Sequence, residues 1–419
     1  MTEAPARISA ARTAAFTILH RVASGKGHSD DLLHTMAVNA LSSEDRNLTT
    51  TLVLGTLRWQ LAIDSILRPY LQRPFQEMPA PVLLVLRLGT FQLLLLDRIP
   101  DHAALNESVE LARANGAPHA AGMVNAVLRR VQREGATLKK NLDPEAAHPQ
   151  WLLDRWKHTY GNRTAHSIAE ADQHEPNIPS LFHASENAQQ MDDGSRLIAE
   201  LTAASSVGAK RILDCCAAPG GKTLVLAARH PEAKIVAADL SPRRLSAMQR
   251  RVERAGLPNI ETVVADLTTQ QRSGPFTKPF QLILCDVPCS GTGTLARNPE
   301  IRHTIRPEEF ARQSERQRAI LSTALSLLAP GGRLIYSTCS LEPEENEDVV
   351  RSVLSQPQHA ALKQMDIAPL FARLAKENIL SAESAAHLRD TALRGTTLRT
   401  LPGTHATDGF FAALIERPA

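Results

Sequence analysis

Two Cys–Ser pairs carry the clearest chemistry in this sequence: Cys289–Ser290 in DVPCSGTG and Cys339–Ser340 in IYSTCSLEPEEN. Each follows a short apolar run that reads as a buried parallel strand, and open α/β sheets bind their ligands at the carboxyl ends of such strands. Two thiols placed there, beside a glycine-rich loop, suit covalent chemistry on a poorly reactive substrate. The chain has five cysteines, all in its second half and clustered at predicted strand ends. A disulfide scaffold would instead spread an even set between loops. Cys285 reads as a structural thiol inside a strand, and Cys215 and Cys216 read as loop packing.

The glycine-rich loop is DCCAAPGGKT, residues 214–223. Cys215, Ala217, Ala218 and Pro219 keep it small, so that backbone can approach a ligand. Gly220 and Gly221 tolerate torsions that side chains forbid. The helix that follows, with Lys222 in its first turn, offers free N–H groups to a polar ligand. The loop is neither the dinucleotide fingerprint G-x-G-x-x-G nor a Walker loop. Nineteen residues after Gly220, Asp239 ends the second strand, where an acid accepts both hydroxyls of a ribose. Asp266 ends the third strand and is placed to contact a base or an amino group. Arg244, just beyond Asp239, completes the candidate cofactor set, which also takes in Asp286. Glycine turns and helix caps would explain each feature singly. Their order fits S-adenosylmethionine better than NAD.

Cytosine C5 is too weak a nucleophile to take a methyl group unaided. A thiolate added at C6 saturates the 5,6-bond and pushes electron density onto C5, which then attacks a methyl sulfonium. The C5 proton must afterwards leave and the thiolate be expelled. This scheme needs a nucleophile, a proton acceptor, an acid near N3 and an unpaired base. Cys339, Cys289 and Asp286 offer the three protein groups at neighbouring strand ends. Buried structural thiols are the plain alternative, but Ser290, Thr292, Ser337, Thr338 and Ser340 make a polar setting.

The elements needed to position these groups are legible from residue 196 onward. Strands KRILDC (210–215), KIVAAD (234–239), NIETVVAD (259–266), FQLILCD (280–286) and RLIYST (333–338) alternate with helices, among them 242–256 and 307–328. Apolar strands spaced by helices predict a doubly wound α/β sheet. The terminal DGFFAALIE (408–416) reads as an edge strand. Before this domain, residues 7–133 carry helical periodicity in segments 11–22, 42–67, 81–99, 102–115 and 120–133, separated by Pro69, Pro74, Pro79, Pro100 and Pro118, as in a compact bundle. Gly89 interrupts the third segment. Residues 134–150 are polar and contain proline, which suggests a linker. The expected organisation is an all-α domain over 1–133, a linking region over 134–195 and a catalytic domain over 196–419.

Composition narrows the class. The chain has 419 residues, 43% of them hydrophobic, a net charge of +3 and a pI near 8.6. A mild basic excess permits a nucleic-acid partner without requiring one. No run of 18 apolar residues and no signal-peptide core is present, so a cytoplasmic protein without a membrane partner is expected. The 15 histidines fall in no metal-ligand spacing, so no metal is expected. Candidate phosphate contacts are Arg7, Arg12, Arg58, Arg129, Arg130 and Arg133 in the helical half. The second half adds Arg297, Arg302, His303, Arg306 and Arg312 after the first Cys loop, and Arg243, Arg244, Arg250, Arg251 and Arg254 on one helix. Glu300, Glu308 and Glu309 interleave with the group after the Cys loop, so an ion-paired surface is the alternative there.

The motifs DCCAAPGGKT, DVPCSGTGTLARNPEIR, YSTCSLEPEENEDVV and DGFFAALIE resemble those of the NOL1/NOP2/Sun RNA (cytosine-5)-methyltransferases. LSSEDRNLTTTLVLGTLRW, RLGTFQLLLLDRIPDHAALNESVELAR and GMVNAVLRR are similar to the NusB-like domain of the bacterial Sun/Fmu subgroup, which acts on 16S, the small-subunit ribosomal RNA. The resemblance covers about residues 7–133 and 196–417. It implies an α/β fold of the Rossmann-like, class I methyltransferase type behind an all-α NusB-like domain, and an enzyme that uses S-adenosylmethionine on ribosomal RNA as a monomer. It implies that Cys339 is the nucleophile, that Cys289 assists proton removal and release, and that Asp286 engages the base. It further implies that Gly220, Gly221, Lys222, Asp239 and Asp266 hold the cofactor. One departure is large. Family members carry an RRM-like subdomain before the first sheet strand, and here only about 35 residues (175–209) are available for it. An aromatic residue usual after the PEIR segment is His303. Target choice is then expected to rest more on residues 1–133. A methyltransferase acting on transfer RNA, and a non-catalytic RNA-binding assembly factor, are the alternatives.

Overall fold

The computed structural model describes residues 8–175, 181–183 and 191–419. Arg7 lies outside the described residues. The chain divides into two units, Met1–Pro176 with Leu295–Thr304, and Asn177–Thr294 with Ile305–Ala419.

The first unit is all-helical. Its principal helices are Ala10–Ala23, Ser43–Leu67, Ala80–Leu95, Asp101–Ala114, Ala121–Lys140, Gln150–Tyr160 and Asn162–Ala171. Ser42 starts the second of these by accepting the Asp45 amide at 3.1 Å, an N-cap. Leu52, Ile63, Leu67, Leu86, Leu88 and Leu128 are fully buried between the helices. Gly89 does not interrupt its helix. A Cβ there would come within 2.6 Å of a Leu128 methyl, so the glycine is what lets two helices approach closely. The stretch read as a linker is also corrected, because the helix from Ala121 continues to Lys140. Its polar residues are an ion-paired helix face: Lys139 meets Asp97 at 2.9 Å and Glu134 meets Arg130 at 2.9 Å.

Several arginines expected to face phosphate are internal. Arg12 is buried, donating to Gln92 at 2.7 Å and pairing with Glu107 at 2.8 Å. Arg58 is buried and donates twice to the Ala296 carbonyl, at 2.9 and 2.6 Å. Arg302 is 1% exposed, and its guanidinium donates to the carbonyls of Arg58, Ala147, Asp172 and Leu295 at 2.9 to 3.4 Å. His303 Nε2 sits 2.8 Å from the Leu57 carbonyl, and burial lowers its pKa to about 3. Glu300 accepts from the Ser29 amide and hydroxyl at 2.9 and 2.8 Å. Leu295–Thr304 is thus an integral part of this helical unit, and Arg302 and His303 are not available to RNA. The physical reason is that a guanidinium matches a cluster of open carbonyls as well as it matches phosphates. Arg129, Arg133, Arg297 and Arg306 are exposed, and exposed Arg312 pairs with Glu309 at 2.6 Å.

The second unit is built on one sheet. Its strands are β1 (Arg211–Asp214), β2 (Lys234–Asp239), β3 (Ile260–Val264), β4 (Phe280–Asp286), β5 (Leu328–Thr338), β6 (Lys363–Met365), β7 (Leu393–Arg394), β8 (Thr397–Arg399) and β9 (Phe411–Glu416). The order is β3-β2-β1-β4-β5-β9-β8-β7, with β6 also paired to β9. The first five strands are parallel, and β9 runs antiparallel to β5. The interior strands are apolar along their length because helices cover both faces. Strand β5 begins earlier than its sequence suggested. Its register with β4 shifts between Phe280 and Leu282, which accommodates Pro330-Gly331-Gly332 within it. The edge assignment for DGFFAALIE is wrong: β9 has β5 on one side and β6 and β8 on the other. Phe411, Ala412, Ala413 and Ile415 are completely buried, as an internal strand requires. No helix among the described residues is long and apolar enough to cross a membrane.

Candidate active site

Parallel strands deliver one side chain each to the same margin of the sheet. Asp214 ends β1, Asp239 ends β2, Asp286 ends β4, and Cys339 follows the last residue of β5. The winding direction changes between β1 and β4, which opens a crevice outside their carboxyl ends.

A cavity of about 230 Å³ lies in that crevice, lined by the loop residues Cys216, Ala217, Ala218, Pro219 and Gly221 and by Asp214, Lys222 and Asp286. Met191, Ser195 and Arg251 also reach it. A second cavity of about 150 Å³ is lined by Cys215, Cys216, Asp239, Arg244 and Asp266. Asp239 ties the loop to β2: its carboxylate accepts the Ala218 amide at 3.2 Å and the Ser241 amide at 2.9 Å, and lies 3.4 Å from Arg244. Arg244 also donates to the Ala218 carbonyl. Gly220 has φ of +100°, and a Cβ there would stand 2.7 Å from the Met248 side chain, so glycine is required on both counts. Asp266 is held below the usual carboxylate range by the Thr268 hydroxyl and amide, at 2.6 and 2.9 Å.

The donor set fits S-adenosylmethionine. Four carboxylates in two neighbouring cavities suit a ligand with a sulfonium, an ammonium and ribose hydroxyls. The helix Gly221–Arg229 presents its amino end to the same space, where a ligand carboxylate would be welcome. Among the described residues no group of His, Cys, Asp or Glu could hold a metal ion.

Beside these cavities the Sγ atoms of Cys289 and Cys339 lie 3.3 Å apart, and both thiols are free. Hydrogen bonding to Cys339, burial and the Glu345 charge push the Cys289 pKa well up, so that sulfur is held as a thiol. Lys222 Nζ pairs with Asp286 Oδ2 at 2.7 Å, and the Ser337 hydroxyl donates to Asp286 Oδ1 at 2.7 Å. Burial works against the Lys222 charge, but Asp286 and Cys339 outweigh it and raise its pKa. Asp214, fully buried, has its pKa raised to about 7, chiefly by desolvation and further by Asp286, against the opposing Thr223 hydroxyl bond of 2.7 Å. The Cys289 loop is pinned by Gly293, whose amide donates to the Cys339 carbonyl at 2.9 Å and whose carbonyl accepts the Gly409 amide at 2.7 Å.

Every candidate cofactor residue named from the sequence falls at these cavities or, for Gly220, in the loop between its neighbours there. Sequence reasoning missed Asp214, Cys216, Ser195, Met191 and Arg251 as lining residues, and Glu345 altogether. Asp214 and Cys216 lay inside the quoted loop, so their position was a usable signal. Glu345 sat in an acidic run with nothing to single it out.

Comparison with known proteins gives concordant matches. The model of the 16S rRNA methyltransferase RsmB/F family matches residues 203–416, and that of the NusB family matches residues 9–133. The chain is 29% identical to the probable ribosomal RNA small subunit methyltransferase B of Bacillus subtilis, over 97% of this chain and 98% of the relative. That alignment spans 461 residues, more than this chain contains, so the relative has segments that this one lacks. Ribosomal RNA small subunit methyltransferase B of Pseudomonas syringae is 32% identical over 85% of this chain and 89% of its own. The crystal structure of PH0851 superposes with a TM-score of 0.73 at 20% identity, covering 99% of this chain and 100% of the other, which establishes a shared fold.

Proposed function

Since the chain belongs to the RsmB/F family of 16S ribosomal RNA methyltransferases, we propose that it methylates C5 of a cytosine in 16S ribosomal RNA through a covalent bond between Cys339 and C6. Membership makes it an S-adenosylmethionine-dependent ribosomal RNA methyltransferase. The observation that carries the finer reading is the pair of thiols 3.3 Å apart, one of which directly follows Pro288 in the lining of the second cavity. Bound S-adenosylmethionine supplies an electrophilic methyl group on a sulfonium.

In this reading Asp239 accepts the ribose hydroxyls and Asp266 faces the base. The loop from Cys215 to Lys222, with Arg244 beside it, shapes the pocket. The Cys339 sulfur adds to C6 as a thiolate. Asp286, paired with Lys222, engages N3 of the cytosine. Once C5 is methylated, the C5 proton has to leave before the C6–S bond can break. Cys289 is next to Cys339 and so next to that proton. What raises its pKa first of all is Cys339, and that partner charge is gone once Cys339 is bonded to C6. Cys289 then takes the proton as a thiolate, and the C6–S electrons return to Cys339 as the 5,6-double bond forms again. The base must be unpaired to enter, because C6 is stacked in a helix.

Bisulfite mapping of ribosomal RNA from cells with and without the gene tests the substrate. One cytosine of 16S RNA should lose its protection in the mutant. Tritium release from RNA labelled at cytosine C5 tests the chemistry, and label retained during methyl transfer would rule it out. Protection lost in a transfer RNA instead would move the target while keeping the reaction.

A further inference from the structure

We propose that Glu345 is a positioning residue of this site, tying the Cys289 loop to the Cys339 loop so that the two sulfurs stay in register. The inference rests on the reading of the two thiols as the reacting pair. Glu345 has no exposed surface, yet its carboxylate accepts from four donors. Oε1 accepts the Ser290 amide at 2.8 Å and the Gln317 side-chain amide at 3.1 Å. Oε2 accepts the hydroxyls of both Ser290 and Ser340, the latter at 2.5 Å. Each serine follows a thiol directly in the chain. The serine half of each Cys–Ser pair therefore has a partner, and it is the same partner for both.

The surrounding bonds show what this junction holds. The Ser290 and Ser340 hydroxyls are 3.1 Å apart, and Ser340 Oγ also accepts the Glu342 amide at 3.0 Å. Gln317 donates to the Pro288 carbonyl at 2.9 Å, which braces the residue just before Cys289. Tyr336, on β5, donates to the Glu345 carbonyl at 2.6 Å, so the glutamate is itself anchored to the strand that carries Cys339. A buried carboxylate is costly to desolvate, and an apolar side chain would fill the same space without that cost. What an apolar residue could not do is accept from two loops at once. Glu345 makes no hydrogen bond to a sulfur, so its positioning runs through Ser290 and Ser340; its charge, which separately raises the Cys289 pKa, is left in place by the serine variants.

The test uses the full-length protein with Glu345→Ala, Glu345→Gln, Ser290→Ala and Ser340→Ala. The direct readout is the rate at which the azo oxidant diamide forms a Cys289–Cys339 disulfide, followed by peptide mass mapping. Two thiols lose their protons and two electrons, and the azo group is reduced to a hydrazine. Wild type should form this bond readily. Glu345→Ala should form it at least about tenfold more slowly and lower kcat by about 100-fold, the cost of a small misplacement of reacting groups. KM for RNA and the affinity for S-adenosylhomocysteine should be unchanged. Glu345→Gln keeps one oxygen acceptor and should fall between. If Glu345→Ala does not fold, each serine variant removes one tie and should still slow both cross-linking and kcat. Folded variants that cross-link and turn over like wild type overturn the proposal. A wild-type protein that transfers no methyl group overturns the reading of the reaction instead, while the cross-linking rates still decide the tie.

Discussion

Cys289 and Cys339, fifty residues apart in the chain, bring their sulfurs to 3.3 Å across the ends of two adjacent parallel strands. The pairing of Asp286 with Ser337 in the β4–β5 ladder sets this distance, because each thiol sits two or three residues beyond that pair. A one-step slip in register would send the two loops out of reach of each other.

The unequal roles proposed for the thiols predict unequal mutants. Cys339→Ala should abolish methyl transfer and leave cofactor binding intact. Cys289→Ala should still attack, and then accumulate protein joined to RNA, since nothing removes the C5 proton. A denaturing gel with labelled RNA reads this directly. Methyl transfer by the Cys289 variant without any adduct would reverse the assignment.

Asp214 predicts a pH dependence of cofactor binding. With a folded pKa near 7 it is neutral below that pH and anionic above it. Only the anion attracts a sulfonium or ammonium, so S-adenosylmethionine should bind more tightly as pH rises from about 6 to about 8. Asp214→Asn should flatten the titration in a calorimeter. The same shift acts on stability with the opposite sense. The folded state keeps its proton longer than the unfolded one, so the contribution of this group is full below the unfolded value of 3.8 and is lost as pH climbs to about 7.

Arg302 should matter to folding and not to RNA affinity. Arg302→Met leaves the carbonyls of Arg58, Ala147, Asp172 and Leu295 without their donor. A loss of about 3 kcal/mol in urea unfolding is expected, the scale for a broken buried charged network. The salt dependence of RNA binding by the folded variant should match wild type. Unchanged stability with weakened RNA binding would restore the arginine to the surface role first expected of it.

Gly293→Ala should damage the site through sterics alone. A Cβ at this position would lie 2.2 Å from the Gly409 carbonyl oxygen, and backbone cannot yield as a side chain can. The Cys289 loop should shift, costing about 1–3 kcal/mol by thermal melting and most of the methyl transfer. Cofactor affinity, which depends on the β1 and β2 ends, should survive.

Much of the fold was legible because period and strand-end chemistry are local signals. The apolar runs of β1, β2, β4 and β5, the loop at 214–223 and the two Cys–Ser pairs could be read where they stand. Other residues defeated such a reading. Arg302 and Arg58 look like surface cations in a sequence, and only the carbonyls gathered around them show otherwise. The strand at 411–416 looked terminal, and so peripheral, until β6 and β8 were found beside it.

The sequence by itself therefore determined the candidate groups: two thiols and an acid at strand ends, next to a small-residue loop that suits S-adenosylmethionine. Tertiary structure alone decided which groups act on one another. It placed Cys289 against Cys339, Lys222 against Asp286, and Glu345 beneath both serines. The physical reason is that side-chain type is written in the chain, whereas distance, burial and the resulting charge state arise only when strands far apart in sequence pair in one register.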